Sequence, residues 1–158
     1  MENLNRRDVF LAMAAMAAAT VVDADAQLAV PGEKMLTESR AWTFNELPVT
    51  KSANGGASRA VVTGVLATGE LVEMHETTLP PGQMPHPAHT HRHSEFMLIC
   101  QGTVEWDMDG KLERVGPGGV LFAASNKLHG LKNVGSTDAL YFVIAIGRDT
   151  AAMTPVSR

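Results

Sequence analysis

Histidine is the side chain most often used to hold a transition metal or to move a proton near neutral pH, and along this chain it is unevenly spread. Five of the six histidines fall in two short segments. The first runs Gly82-Gln83-Met84-Pro85-His86-Pro87-Ala88-His89-Thr90-His91-Arg92-His93-Ser94-Glu95, the second Leu128-His129-Gly130-Leu131-Lys132-Asn133. On an extended strand residues two apart project to the same side, so His89 and His91 can converge on one point. His93 and Glu95 would follow in that register, but four groups in line cannot all reach one ion. A bend or bulge after His91 resolves this, swinging His93 aside and bringing Glu95 into the interior. Two neutral imidazoles and a carboxylate suit one divalent transition metal ion: iron, manganese, nickel, copper or zinc. A third imidazole from a distant strand would complete the set, and His129, carried by an apolar segment, is the natural donor. A lone H-x-H pair often matches by accident. The carboxylate at fixed spacing and the second histidine segment favour a metal site over a solvated histidine-rich loop.

Weaker candidates surround this cluster. His86, bounded by prolines, is expected at the mouth of the site, as a proton shuttle or simply solvated. His93 is placed to donate a hydrogen bond to a ligand, and His75, before Pro80, reads as a surface residue. Period-two counting puts Met97 and Ile99 on the inner face with Glu95, lining a pocket. Tyr141 and Phe142 are adjacent, so only one can face inward. Phe142 shares its face with the apolar Leu140 and Ile144 and is expected to be that one. The single cysteine, Cys100, excludes an internal disulfide framework. Lying in the run Phe96-Met97-Leu98-Ile99-Cys100 without an activating neighbour, it reads as a small buried hydrophobe.

The elements that must position these residues read as strands. Ser58 to Leu66 is a β-branched run after the Asn54-Gly55-Gly56 loop, and Leu71 to Leu79 ends at Pro80-Pro81-Gly82, where pairing must stop. Glu95 to Gly102 and Thr103 to Asp109 follow. In the second of these, Val104, Trp106 and Met108 share one face. Asp109-Gly110 is a two-residue hairpin signal with Lys111 to Val115 as its return. Val120 to Ala123, Leu128 to Val134 and Ala139 to Ile146 supply further strands. No long stretch has helical periodicity with caps, so the expectation is all-β: a sandwich or barrel at residues 41–147, with a polar arm at 27–40 and a short tail at 148–158.

A chain of 158 residues with 45% apolar and 19% charged side chains fits one ordinary globular domain. A net charge of -4 and no basic cluster give no reason to expect nucleic acid or an anionic membrane as partner. Residues 1–26 differ from the rest. Arg6-Arg7 precede the alanine- and methionine-rich stretch Val9 to Val22, and Ala24-Asp25-Ala26 offers the small residues a signal peptidase accepts. This has the form of a secretory signal, too short for a comfortable span. Arg6-Arg7-Asp8-Val9-Phe10-Leu11 resembles a twin-arginine (Tat) signal for export of folded protein. Cleavage after Ala26 would leave a periplasmic or secreted chain starting at Gln27, with no membrane insertion of its own.

Gly82, His89-x-His91, three residues, Glu95, six residues and Gly102 resemble the first motif of the cupins. Gly118 through His129 to Asn133 resembles the second, and together they span roughly Glu70 to Gly147. Ala124 and Asn126 stand where the second motif usually has proline and glycine, and asparagine tolerates the left-handed backbone that glycine supplies. The resemblance implies a single jelly-roll-like cupin β-barrel, a homodimer, and the ligands His89, His91, Glu95 and His129, with Glu95 also available as a base. The 3-His-1-Glu pattern implies dioxygenase chemistry on a small enolic, phenolic or diketone substrate. A metal-dependent lyase or isomerase is the alternative; the similar small cupins that act as hydroxynitrile lyases usually carry glutamine where Glu95 stands. A non-catalytic protein that senses or sequesters a small molecule or metal is the third.

Overall fold

The computed structural model describes residues 34–147 and the short strand Thr154–Pro155; the expected signal sequence lies outside the described residues. Among the described residues eleven strands make up two sheets. They are β1 (Val49–Lys51), β2 (Ala57–Val65), β3 (Leu71–Leu79), β4 (His89–Thr90), β5 (Ser94–Gln101), β6 (Val104–Met108), β7 (Lys111–Val115), β8 (Val120–Ala123), β9 (His129–Asn133), β10 (Ala139–Ile146) and β11 (Thr154–Pro155). One sheet has the order β1-β2-β3-β10-β5-β8, the other β11-β4-β9-β6-β7. Between the named strands all pairings are antiparallel. The only other described regular element is a 3-10 turn at Phe44–Glu46. Among the described residues no helix is long and apolar enough to cross a membrane. The all-β jelly-roll expected from the sequence is the architecture observed.

The core lies between the sheets, as the alternation of each strand requires. Leu79, Met97, Ile99, Leu121, Ala139, Tyr141 and Val143 come from the six-stranded sheet and meet Val104, Trp106 and Leu131 from the five-stranded one. Turn chemistry sets the register. Asp109 and Gly110 both take positive φ, 52° and 92°, as a two-residue hairpin demands, and Met108 pairs with Lys111 across it. Asn126 takes φ 59°, the left-handed conformation for which asparagine is tolerated. Gly102 has φ 80°, and a Cβ there would come within 2.7 Å of the Cα of Ala139. The buried Asn133 ties the end of β9 to β3: its Nδ2 donates to the carbonyls of Leu79 (2.8 Å) and Thr137 (2.9 Å), while its Oδ1 accepts from the Gly135 amide.

Two stretches read as arm and tail carry structure. Met35 forms an isolated parallel bridge with Val65, and the backbone of Lys34 and Leu36 exchanges hydrogen bonds with Val65. The approach is so close that a Cβ on Gly64 would lie 2.5 Å from the Lys34 carbonyl oxygen. Thr154 and Pro155 pair with Thr90 and His89.

Cys100 corrects an expectation: it is exposed, on the outer face of β5 with Phe96 and Leu98. A run that is apolar at every position does not say which of its faces is covered. That outer face also carries Val120 and Phe122 of β8, all partly open to solvent, and the Phe96 and Phe122 rings lie 4.8 Å apart. Further along the same sheet, Glu76 is fully buried and paired with Arg59 at 2.8 Å, and the guanidinium sits 4.5 Å over the Phe44 ring.

Candidate metal centre

The chain changes sheets between His91 and Ser94. β4 belongs to the five-stranded sheet and β5 to the six-stranded one, and the bend at Arg92–His93 joins them. That bend breaks the period-two line, so His89 and His91 reach the interior from one side and Glu95 from the other. His129 opens β9 directly opposite His89 in the register. The three imidazoles are buried, and their ligand nitrogens lie within 4.8 Å of one another.

Hydrogen bonding decides which nitrogens are available. His91 Nδ1 lies 2.8 Å from the His93 carbonyl oxygen, and His129 Nδ1 2.8 Å from that of Lys127. A carbonyl oxygen only accepts, so both Nδ1 atoms carry the proton and both Nε2 atoms present lone pairs. Those two Nε2 atoms are 3.1 Å apart. Two bare lone pairs at hydrogen-bond distance repel unless a proton or a cation lies between them. Metal–imidazole bonds of about 2.1 Å at a right angle put their nitrogens about 3.0 Å apart, so the spacing fits cis ligands of one ion. Glu95 completes the arrangement, with Oε1 3.4 Å from His91 Nε2 and Oε2 3.8 Å from His129 Nε2. The donor set therefore fits a divalent transition metal. His89 Nδ1 is buried with no hydrogen-bond partner, a further polar atom the protein alone leaves unmet.

The electrostatics prepare the same state. Burial, with repulsion from His86, His129 and His91, pulls the His89 pKa down to about 4. Burial likewise lowers His91, against the pull of Glu95. Burial alone would raise Glu95, but the surrounding imidazoles of His129, His93 and His91, with His93 hydrogen-bonded to it, outweigh burial and hold the carboxyl at about 2. At neutral pH the first two imidazoles are thus neutral and the carboxylate is charged, the forms in which each binds a metal.

The surrounding residues fall into place around this centre. His93, swung aside by the bend, stacks on His91 with ring centroids 3.6 Å apart, and its Nε2 lies 2.9 Å from Glu95 Oε1. Since an ionised carboxylate only accepts, His93 donates and steadies Glu95. His86 is exposed and meets His89 edge-on at 4.2 Å.

A cavity of about 200 Å³ opens at the centre, and Glu95, His89, His129, His86 and Met97 line it. Ile99 is on the same face but belongs to the packed core and not to the lining. Phe142 is a correction: Tyr141 and Val143 line the cavity, and Phe142 points to the outer face of β10. Both faces of β10 are apolar, so apolarity could not choose. The register chooses, aligning Tyr141 with Ile99 and Val143 with Met97. His75 is a second correction. It too lines the cavity, because β3 pairs it with Val143. Trp106, which lines the cavity 5.3 Å from the His129 ring, was legible as a face-sharing residue of its strand but not as part of the site.

Comparison with known proteins supports the fold. Residues 75–145 match the family described as Cupin domain. Among solved structures, an RmlC-like cupin from Shewanella frigidimarina aligns with TM-score 0.60 at 14% identity, covering 70% of this chain and 93% of that one. The polyketide cyclase RemF from Streptomyces resistomycificus aligns with TM-score 0.60 at 15% identity, over 77% of this chain and 87% of the other. A protein described as a predicted oxalate decarboxylase, from Thermotoga maritima, aligns with TM-score 0.58 at 20% identity, over 69% and 100%. Such identities speak to the fold alone. No curated protein matches the chain.

Proposed function

Starting from the cupin domain at residues 75–145, we propose that this chain is an exported mononuclear metalloenzyme, of dioxygenase type, acting on a small enolic, phenolic or diketone substrate. The observation that carries the metal reading is the pair of bare Nε2 lone pairs of His91 and His129 held 3.1 Å apart beside Glu95. His89, His91, Glu95 and His129 would hold the ion, which when bound supplies a Lewis acid and a position for substrate oxygen or dioxygen. The protein's own work is to orient and to shield. Hydrogen bonds to backbone carbonyls lock His91 and His129 in the binding tautomer, and His93 steadies Glu95. Met97, Leu131, Val143 and Trp106 give the cavity apolar walls that limit water and strengthen every charge interaction inside.

A metal-dependent lyase or isomerase is the second reading. The presence of an acid–base pair, His75 with Glu73, at the cavity favours it. Metal analysis of the purified protein followed by an oxygen-electrode screen of catechols, flavonols and diketones separates the two. Oxygen uptake supports the first; anaerobic turnover of cyanohydrins or β-hydroxy acids supports the second. A protein with one ion per chain and neither activity would be a binding or sensing cupin. Export is tested on the periplasmic fraction, where the N-terminal residue should be Gln27 and its appearance should depend on Arg6 and Arg7.

A further inference from the structure

Beyond the three-histidine centre the cavity carries a further imidazole, one that a carboxylate orients. His75 enters from β3, and Val143 of β10 separates it in register from Met97 of β5. Its Nδ1 is gripped by both carboxylate oxygens of Glu73, at 3.0 and 2.9 Å. The carboxylate only accepts, so Nδ1 bears the proton and Nε2 keeps its lone pair. That Nε2 makes no hydrogen bond to any other described residue. An imidazole oriented by a carboxylate, with its second nitrogen unengaged beside a cavity, is the arrangement of an acid–base catalyst. Burial lowers the His75 pKa, but the Glu73 hydrogen bond and the charges of Glu73, Glu95 and Glu76 outweigh it, and the net shift is upward. A stronger base than free histidine results.

His89, His129 and Glu95 line the same cavity, so an ion held there would face oxygen atoms of a guest. Trp106 is 2% exposed and lines the cavity, and its indole N–H is buried with no acceptor. At about 200 Å³ the space suits a small molecule.

We propose that His75 is the proton acceptor for a small oxygenated carbon acid (a 2-oxo acid or hydroxyketone) bound in this cavity, and that Glu73 is its positioning residue. The proposal rests on the metal reading above for the site that faces the substrate oxygens. In the step, the C–H bond beside a carbonyl breaks, its proton passes to His75 Nε2, and the electron pair stays on the substrate as an enolate. Reversal returns a proton from Nε2, so no oxidant or reductant is consumed.

The test is hydrogen exchange into D2O under argon, read by 1H NMR, with pyruvate, hydroxyacetone and dihydroxyacetone as probes and the ion-loaded protein as catalyst. Wild type is expected to exchange at least one probe above the buffer rate. His75→Gln should lower that rate on the order of 100-fold, with ion content and melting temperature unchanged. Glu73→Gln should shift the midpoint of the rate's rise with pH to lower pH, because it removes the main group that raises His75. The other charged groups acting on His75 are Glu76 on its own strand and Glu95 on β5; β10 brings the neutral Tyr141, and β2 brings Ala60 at the paired position. Wild-type exchange in His75→Gln, or no exchange of any probe by wild type, overturns the proposal. Ion content, measured on the same samples, judges the metal reading separately. The 15N spectrum of His75 in ion-free protein gives a further check: a tautomer protonated at Nε2 and not at Nδ1 would overturn the dyad whatever the ion does.

Discussion

Removing and restoring the ion should move the stability of this domain more than any single surface change, and pH should control by how much. An ion that binds only the folded state at a hundred times its dissociation constant adds about 2.7 kcal/mol. For a domain near 100 residues each kcal/mol is worth about 4 °C in melting temperature, so the expected rise is about 10 °C at pH 7. The ion-free protein should itself be acid-sensitive. His89 titrates near 4 when folded and near 6.5 when unfolded, because burial penalises its charged form. Between those values the unfolded chain binds a proton that the folded chain does not. Stability therefore falls as pH drops through that window, and is fully present above 6.5. The difference, 6.5 minus 4, corresponds to about 3 kcal/mol at one pH unit per 1.36 kcal/mol. Glu95, held at about 2 against a usual 4.5, adds a second loss as pH falls from 4.5 towards 2.

The assay is thermal unfolding by circular dichroism from pH 4 to 8, on chelator-treated protein with and without manganese, iron, nickel, copper or zinc. A flat response to all five ions at pH 7 would refute the reasoning. So would an undiminished shift in His129→Ala, since that variant removes one of the two lone pairs on which the site is argued.

Glu95→Gln preserves shape and an acceptor for His93 but removes the charge beside two ligands; titration calorimetry should show ion affinity down at least tenfold. Glu76→Gln breaks the pair between Arg59 and a fully buried carboxylate and should cost about 3 kcal/mol in urea unfolding. The outer faces of β5 and β8 expose Phe96, Leu98, Val120 and Phe122, an apolar surface on which the homodimer that the cupin resemblance implies would be tested. Phe122→Glu should shift sedimentation from dimer to monomer without altering ion content; a wild type that sediments as a monomer at all concentrations would count against the dimer.

Strand positions were legible wherever the chain punctuates itself. β3 ends at Pro80-Pro81-Gly82, β7 is bounded by Asp109-Gly110 and Gly116-Pro117, and the observed bounds of β3, β7, β8 and β10 match the expected ones. The bend after His91 followed from counting alone, because four ligands on one straight strand could not share an ion. β4 was not legible: two residues are too few to carry a pattern, and His89 owes its strand character to pairing with His129.

Two of the errors share one cause, and the third bears on the chemistry. Phe142 was assigned inward from the hydropathy of its strand and Cys100 was read as buried from its apolar run, yet both face outward; His75, read as a surface residue, lines the cavity. Own-strand hydropathy works when one face meets water and the other the core. The outer face of the six-stranded sheet is itself apolar, with Phe96, Leu98, Phe122 and Phe142, so on β5 and β10 the rule has no contrast to read. On β3 neither face is apolar throughout: Glu73, His75 and Thr77 share the inward face with Leu79, and Val72 and Met74 share the other with the buried Glu76. A strand that turns its polar face inward leaves buried polar groups to be satisfied. Glu73 satisfies one nitrogen of His75. The second nitrogen of His75 is met by no described residue, which leaves it as the polar atom that β3 offers to whatever fills the cavity.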